Sequence, residues 1–108
     1  MPQADLKYSS DLSFDAKALL GRIEALILRH DAGSGACKGR ADPADVFHQS
    51  HVLLRVALLR KPHRDAAFRA DLVAALVALL DEHIPDGTER AVEFVFSSDD
   101  YATGRSGA

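Results

Sequence analysis

The residues with the clearest chemical potential are Pro2 and four arginines, Arg40, Arg55, Arg64 and Arg69. Removal of Met1, which a small second residue such as proline permits, leaves a free secondary amine at the start of the chain. An α-amino group titrates near pKa ~8, much closer to neutrality than a lysine, and a cationic or apolar pocket lowers it further. A base poised near the working pH is what proton abstraction requires. The arginines suit the other half of such a reaction, because guanidinium groups grip carboxylates through two parallel hydrogen bonds. Arg55 lies inside an otherwise apolar run, where burial is costly unless a carboxylate from protein or ligand meets it. Arg64 immediately precedes a helical pattern, against the sense of the helix dipole, so it too calls for a partner.

Other chemistries find little support. Cys37 has no surrounding motif that would lower its pKa, and it reads as a small buried hydrophobe. His48 and His51 lie three residues apart in a polar loop with no third ligand indicated, so metal binding is not expected. The Gly33-Ser34-Gly35 triplet lacks the lysine and the strand-to-helix setting of a phosphate loop, and reads as a turn.

The elements that must position these residues form a repeated unit. Residues 4–8 alternate weakly, with Ala4, Leu6 and Tyr8 on one face of a first strand. Ser13 is the expected cap of a helix whose apolar positions, Ala16, Leu19, Leu20, Ile23, Leu26 and Ile27, recur at helical spacing. A second strand containing Arg40 is expected over residues 36–41, broken by Pro43, and residues 42–50 read as a loop. Residues 52–59 form the clearest strand, apolar on both faces. Asp65 caps a second helix with a wide apolar stripe, closed by Pro85-Asp86-Gly87, and residues 91–96 complete the pattern as a fourth strand.

The order strand-helix-strand therefore occurs twice, giving an α+β fold. Right-handed crossovers place both helices on one face of a four-stranded sheet. With Leu53, Ala57 and Leu59 pointing away from Val52, Leu54, Val56 and Leu58, an apolar set should remain uncovered in a monomer, which implies a homo-oligomer. Residues 1–98 read as one domain, and residues 99–108 as a polar tail that is mobile or leans on a neighbour.

Composition narrows the partners. The 108 residues, 47% hydrophobic, fit a single core. A formal net charge of −3 offers no basic field for nucleic acid, and no apolar run is long enough to span a bilayer. One cysteine and the absence of a signal-like amino-terminal pattern lead us to expect a cytoplasmic location.

Taken together, Pro2 opening a strand, the Lys7-Tyr8-Ser9-Ser10-Asp11-Leu12 segment, Lys38-Gly39-Arg40-Ala41, and Arg64 with Arg69 leading into the second helix resemble the 5-carboxymethyl-2-hydroxymuconate isomerase branch of the tautomerase superfamily. The resemblance covers most of the chain, with Asp11 where that branch carries asparagine and His63 where it carries glycine. It implies a homotrimer of β-α-β-β-α-β subunits that needs no cofactor and acts on a small unsaturated hydroxy or oxo dicarboxylate, in aromatic-compound catabolism. In that reading Pro2 is the base, Arg40 holds a carboxylate or the developing enolate, and Arg64 and Arg69 bind the second carboxylate. The alternative from another class is a non-catalytic small-molecule-binding or structural trimer on the same scaffold.

Overall fold

The computed structural model describes residues 1–107. Six elements follow in chain order: β1 (Gln3–Ser9), α1 (Ala16–His30), β2 (Lys38–Ala44), β3 (His51–Leu58), α2 (Ala66–His83) and β4 (Glu89–Phe96). They build one sheet in the order β2-β1-β3-β4. The two strands of each β-α-β unit are parallel, and the units meet through the antiparallel β1–β3 pair. This is the α+β fold expected from the sequence.

Both helices lie on the same face. Ala4 and Leu6 of β1, and Val52, Leu54, Val56 and Leu58 of β3, share one side of the pleat and are buried in a single cluster with the apolar stripes of both helices. Leu19, Ile23, Leu26 and Ile27 come from α1, and Leu72, Leu76, Leu79 and Leu80 from α2. These positions recur at three- and four-residue steps, so each helix turns one continuous face to the sheet. Each fully buried leucine or isoleucine contributes about 1.5–3 kcal/mol through surface removed from water.

Several boundaries shift by one or two residues from the sequence expectation, and three of the differences have a clear local reason. The cap of α1 is Asp15 and not Ser13: its carboxylate accepts the Ala18 backbone N–H at 2.9 Å. Phe14, just before it, packs edge-on against Tyr8, with ring centroids 4.8 Å apart, so the chain turns into the helix later. Strand β2 starts two residues late, because the Cys37 backbone N–H is taken by the Glu24 carboxylate at 2.8 Å. It then runs through Pro43, which is tolerated because β2 is an edge strand whose outer side needs no ladder hydrogen bond. Within β2, Gly39 meets α1 closely: a Cβ there would lie 3.1 Å from Leu20 Cδ2.

The opposite face of the sheet is mixed, where an apolar set was expected. Leu53 and Ala57 are half-buried there, but Arg55 stands between them. The pairing register aligns Arg40, Asp5, Arg55 and Glu93 in one row across all four strands. Their signs alternate, and the pairs Arg40–Asp5 (2.9 Å) and Arg55–Glu93 (3.2 Å) close within the chain. Lys7 and Asp42 form a looser third pair at 3.7 Å. Such half-exposed pairs are each worth about 1 kcal/mol or less. Arg55 thus finds its carboxylate on the neighbouring strand. No helix among the described residues is long and apolar enough to cross a membrane.

Candidate active site

The topology brings the beginning of β1, the beginning of β2, the ends of β3 and β4, the end of α1 and the start of α2 to one end of the sheet. Pro2 is buried there. Its carbonyl accepts the Lys38 backbone N–H at 2.9 Å, which ties it to the edge strand. Gln3 is opposite Ala57, so Pro2 falls opposite Leu58, and Leu58 in turn is paired with Phe96. Pro2 and Phe96 therefore lie in one cross-strand row, two strand spacings or about 10 Å apart.

A polar chain surrounds the Met1–Pro2 junction. Both terminal nitrogens of Arg40 donate to Gln3 Oε1, at 3.1 and 2.7 Å, while its Nε pairs with Asp5. Gln3 Nε2 donates to the Tyr101 hydroxyl at 3.1 Å and to Met1 Sδ at 3.4 Å. The Tyr101 hydroxyl donates to the Met1 carbonyl at 3.1 Å. The direction of this chain is fixed, because a guanidinium can only donate: Arg40 sets the orientation of the Gln3 amide, and the amide commits the tyrosine proton to Met1. Residue 101 of the tail is thus held against the first residues of its own chain.

At the same end of the sheet, a cavity of about 460 Å³ opens between the β3–α2 connection, the start of α2 and the end of β4. Arg60, Lys61, Pro62, Arg64, Asp65, Arg69 and Phe96 line it. The Phe96 ring is the platform: the guanidinium carbon of Arg60 lies 4.1 Å from its centroid and that of Arg69 lies 5.3 Å away. Cation–π contact of this kind holds a guanidinium in place while leaving its N–H groups free for a ligand. Among the described residues, no carboxylate lies within ion-pair distance of Arg60, Lys61 or Arg69. The Asp65 carboxylate is occupied as the cap of α2, accepting the Phe68 N–H at 2.9 Å. With the positive end of the α2 dipole alongside, the cavity attracts anions.

Arg64 behaves differently from Arg69, with which the sequence grouped it as a carboxylate ligand. It is 4% exposed. Its Nε and one terminal nitrogen reach Asp31 Oδ2 at 2.8 Å each, and the other terminal nitrogen donates to the Leu59 carbonyl at 2.7 Å. His63 Nε2 joins the same Asp31 oxygen at 2.9 Å. A buried guanidinium is costly unless its donors find partners, and here each of its three nitrogens meets one inside the protein. Arg64 therefore braces the end of α1 against the approach to α2. Burial alone would raise the Asp31 pKa, but hydrogen bonds from His63 and Arg64 outweigh it and hold the carboxyl below its ordinary value.

Cys37 is half-buried at this end, packed against the core. Burial, reinforced by the negative charge of Glu24, pushes its thiol up to about 11, so it is no nucleophile near neutrality. His48 and His51 lie at the far end of the sheet, and His51 Nδ1 is directed at the Gln49 carbonyl, 2.7 Å away.

The structure thus brings Pro2, Arg40 and Arg69 to the same end of the sheet, with Arg40 acting through Gln3. Sequence reasoning missed Arg60, Phe96, Gln3 and Tyr101. Arg60, directly after an apolar strand, was the one legible signal among them.

No protein-family model matches the sequence, and no curated protein matches it. Solved structures do match in fold. A 5-carboxymethyl-2-hydroxymuconate isomerase from Deinococcus radiodurans R1 superposes with a TM-score of 0.80 at 17% identity, over 96% of this chain and 88% of that one. A 5-carboxymethyl-2-hydroxymuconate delta-isomerase gives 0.65 at 18% identity, over 97% and 88%. The FG41 malonate semialdehyde decarboxylase inhibited by 3-bromopropiolate gives 0.69 at 14% identity, over 96% and 90%. The chain therefore shares the fold of these proteins, the fold that the sequence resemblance implied.

Proposed function

We propose that this chain is a tautomerase, an isomerase that shifts a proton within an unsaturated hydroxy or oxo dicarboxylate, with Pro2 as general base once Met1 is removed. The observation that carries the reading is the position of Pro2, buried at the same end of the sheet as a cavity lined by cationic side chains. The fold it shares with two isomerases supports the same reading.

In this mechanism the Pro2 nitrogen takes the hydroxyl proton of a dienol. The oxygen's electrons form the carbonyl, the double bond shifts, and the protonated amine returns the proton to the distant carbon. An α-amine of ordinary pKa ~8 already supplies a fraction of free base near neutral pH. Arg40 contributes a fixed positive charge behind the reacting oxygen, where it stabilises the developing enolate. Arg60 and Arg69 bind the remote carboxylate on the Phe96 platform, about 10 Å from the base by strand spacing. Arg64 shapes that pocket from behind. A substrate with carboxylates at both ends of an extended chain fits this separation.

Arg60→Ala is expected to raise KM about tenfold with kcat little changed, because a remote charge-assisted contact is kept in ground and transition states alike. Steady-state kinetics on a 2-hydroxymuconate-type dienol read the effect, and an unchanged KM would remove Arg60 from the site. We further propose that the chain works as a homotrimer whose mixed sheet faces meet. Light scattering at micromolar concentration should give three times the monomer mass, and a monomer would refute it.

A further inference from the structure

We propose, on the basis of the tautomerase reading above, that Tyr101 and Gln3 form the hydrogen-bond donor pair that receives the substrate's enolate oxygen, and that Met1 occupies this site until it is removed. The Met1 carbonyl oxygen stands where a substrate oxygen would sit, on the carbon bonded to the Pro2 nitrogen and 3.1 Å from the Tyr101 hydroxyl. Gln3 Nε2 spends one hydrogen on the Tyr101 oxygen and the other on Met1 Sδ. Loss of Met1 therefore removes two acceptors at once. It leaves one tyrosine O–H and one amide N–H directed at the space beside the freed amine.

The polarity of these donors is built in. Arg40 grips Gln3 Oε1 with two N–H groups, so the amide cannot turn its oxygen towards the vacated space, and the Tyr101 oxygen is already an acceptor for Gln3. Both remaining hydrogens must point outward. Preorganised donors of this kind stabilise charge that develops on oxygen in the transition state, and they need no reorganisation during reaction. Arg40 is in this arrangement a positioning residue: it orients Gln3 and polarises the chain from behind, without touching the reacting oxygen. The carboxyl-terminal tail thereby supplies a group to the site through Tyr101.

The test uses the full chain with Met1 shown to be absent by intact mass, as wild type and as Tyr101→Phe, which removes only the hydroxyl. For ketonisation of a 2-hydroxymuconate-type dienol, Tyr101→Phe should lower kcat about 10²-fold, the usual effect of losing one oxyanion donor, with KM and melting temperature nearly unchanged. Oxalate, an unreactive planar dianion that resembles an enolate next to a carboxylate, provides a second readout by calorimetry. Its affinity should fall about tenfold in the variant. Failure of oxalate to bind the wild type, or equal affinity in the two proteins, overturns the donor pair. If oxalate binding depends on Tyr101 but the wild type is no faster than buffer, the donor site stands and the isomerase reading fails. If turnover is fast and the variant matches it, the isomerase reading stands and the donor pair falls.

Discussion

Replacing Asp31 with alanine is expected to destabilise the fold by about 3–5 kcal/mol, the range found when one partner of a buried ion pair is removed. The cause lies in Arg64, whose side chain is 3% exposed and would lose the carboxylate that meets two of its nitrogens. The Leu59 carbonyl would remain its only partner among the described residues. In a domain of this size that loss lowers Tm by more than about 10 °C. Replacing both residues with leucine should recover part of the loss, since an apolar pair leaves no stranded charge. A thermal melt of the wild type and the two variants decides it. If Asp31→Ala melts like the wild type, the brace carries no weight.

The same carboxylate gives the fold an acid limit. The Asp31 pKa is lower in the folded protein than its ordinary value of 3.8, so the unfolded chain binds the proton more tightly. Its contribution to stability is therefore fully present at neutral pH and is lost as pH falls below that value.

The second large effect concerns the base. Pro2→Ala, prepared without Met1, is expected to lower kcat/KM by about 10²-fold or more, within the range general-base catalysis contributes. Alanine also presents an α-amine, but it lacks the ring that fixes the nitrogen's direction. The buried strand start should tolerate the change, because the Pro2 carbonyl and not its ring holds Lys38. A loss of activity without loss of Tm would place the effect in chemistry. Full activity would move the base elsewhere.

Much of the architecture could be read from periodicity. Leu19, Ile23, Leu26 and Ile27 announced a helix, and the apolar run from Val52 announced a buried strand, because burial on one face or two leaves a direct mark on residue order. Pairwise competition leaves no such mark. Nothing near Cys37 in the sequence shows that Glu24 will capture its N–H and delay β2. Pro43 looked like a strand breaker because the sequence does not reveal which strand becomes an edge.

The site was legible where a residue type was out of place and obscure where its partner was distant. Arg64 called for a partner, but Asp31, 33 residues earlier, was indistinguishable from an ordinary turn aspartate. Arg55 likewise demanded a carboxylate, which register alone supplied in Glu93. Tyr101 sits in a polar tail and contacts Gln3 across 98 residues of sequence. Only the folded chain brings them together.

In the proposed reaction a free Pro2 nitrogen at this end of the sheet performs the proton transfer. The most direct measurement is the ketonisation rate of 2-hydroxymuconate with two mass-verified preparations of the same chain, one retaining Met1 and one beginning at Pro2. Catalysis well above buffer is expected for the chain beginning at Pro2 and none for the chain retaining Met1, whose Pro2 nitrogen is an amide. Equal rates for the two preparations, or no catalysis by either, would contradict the proposed reaction.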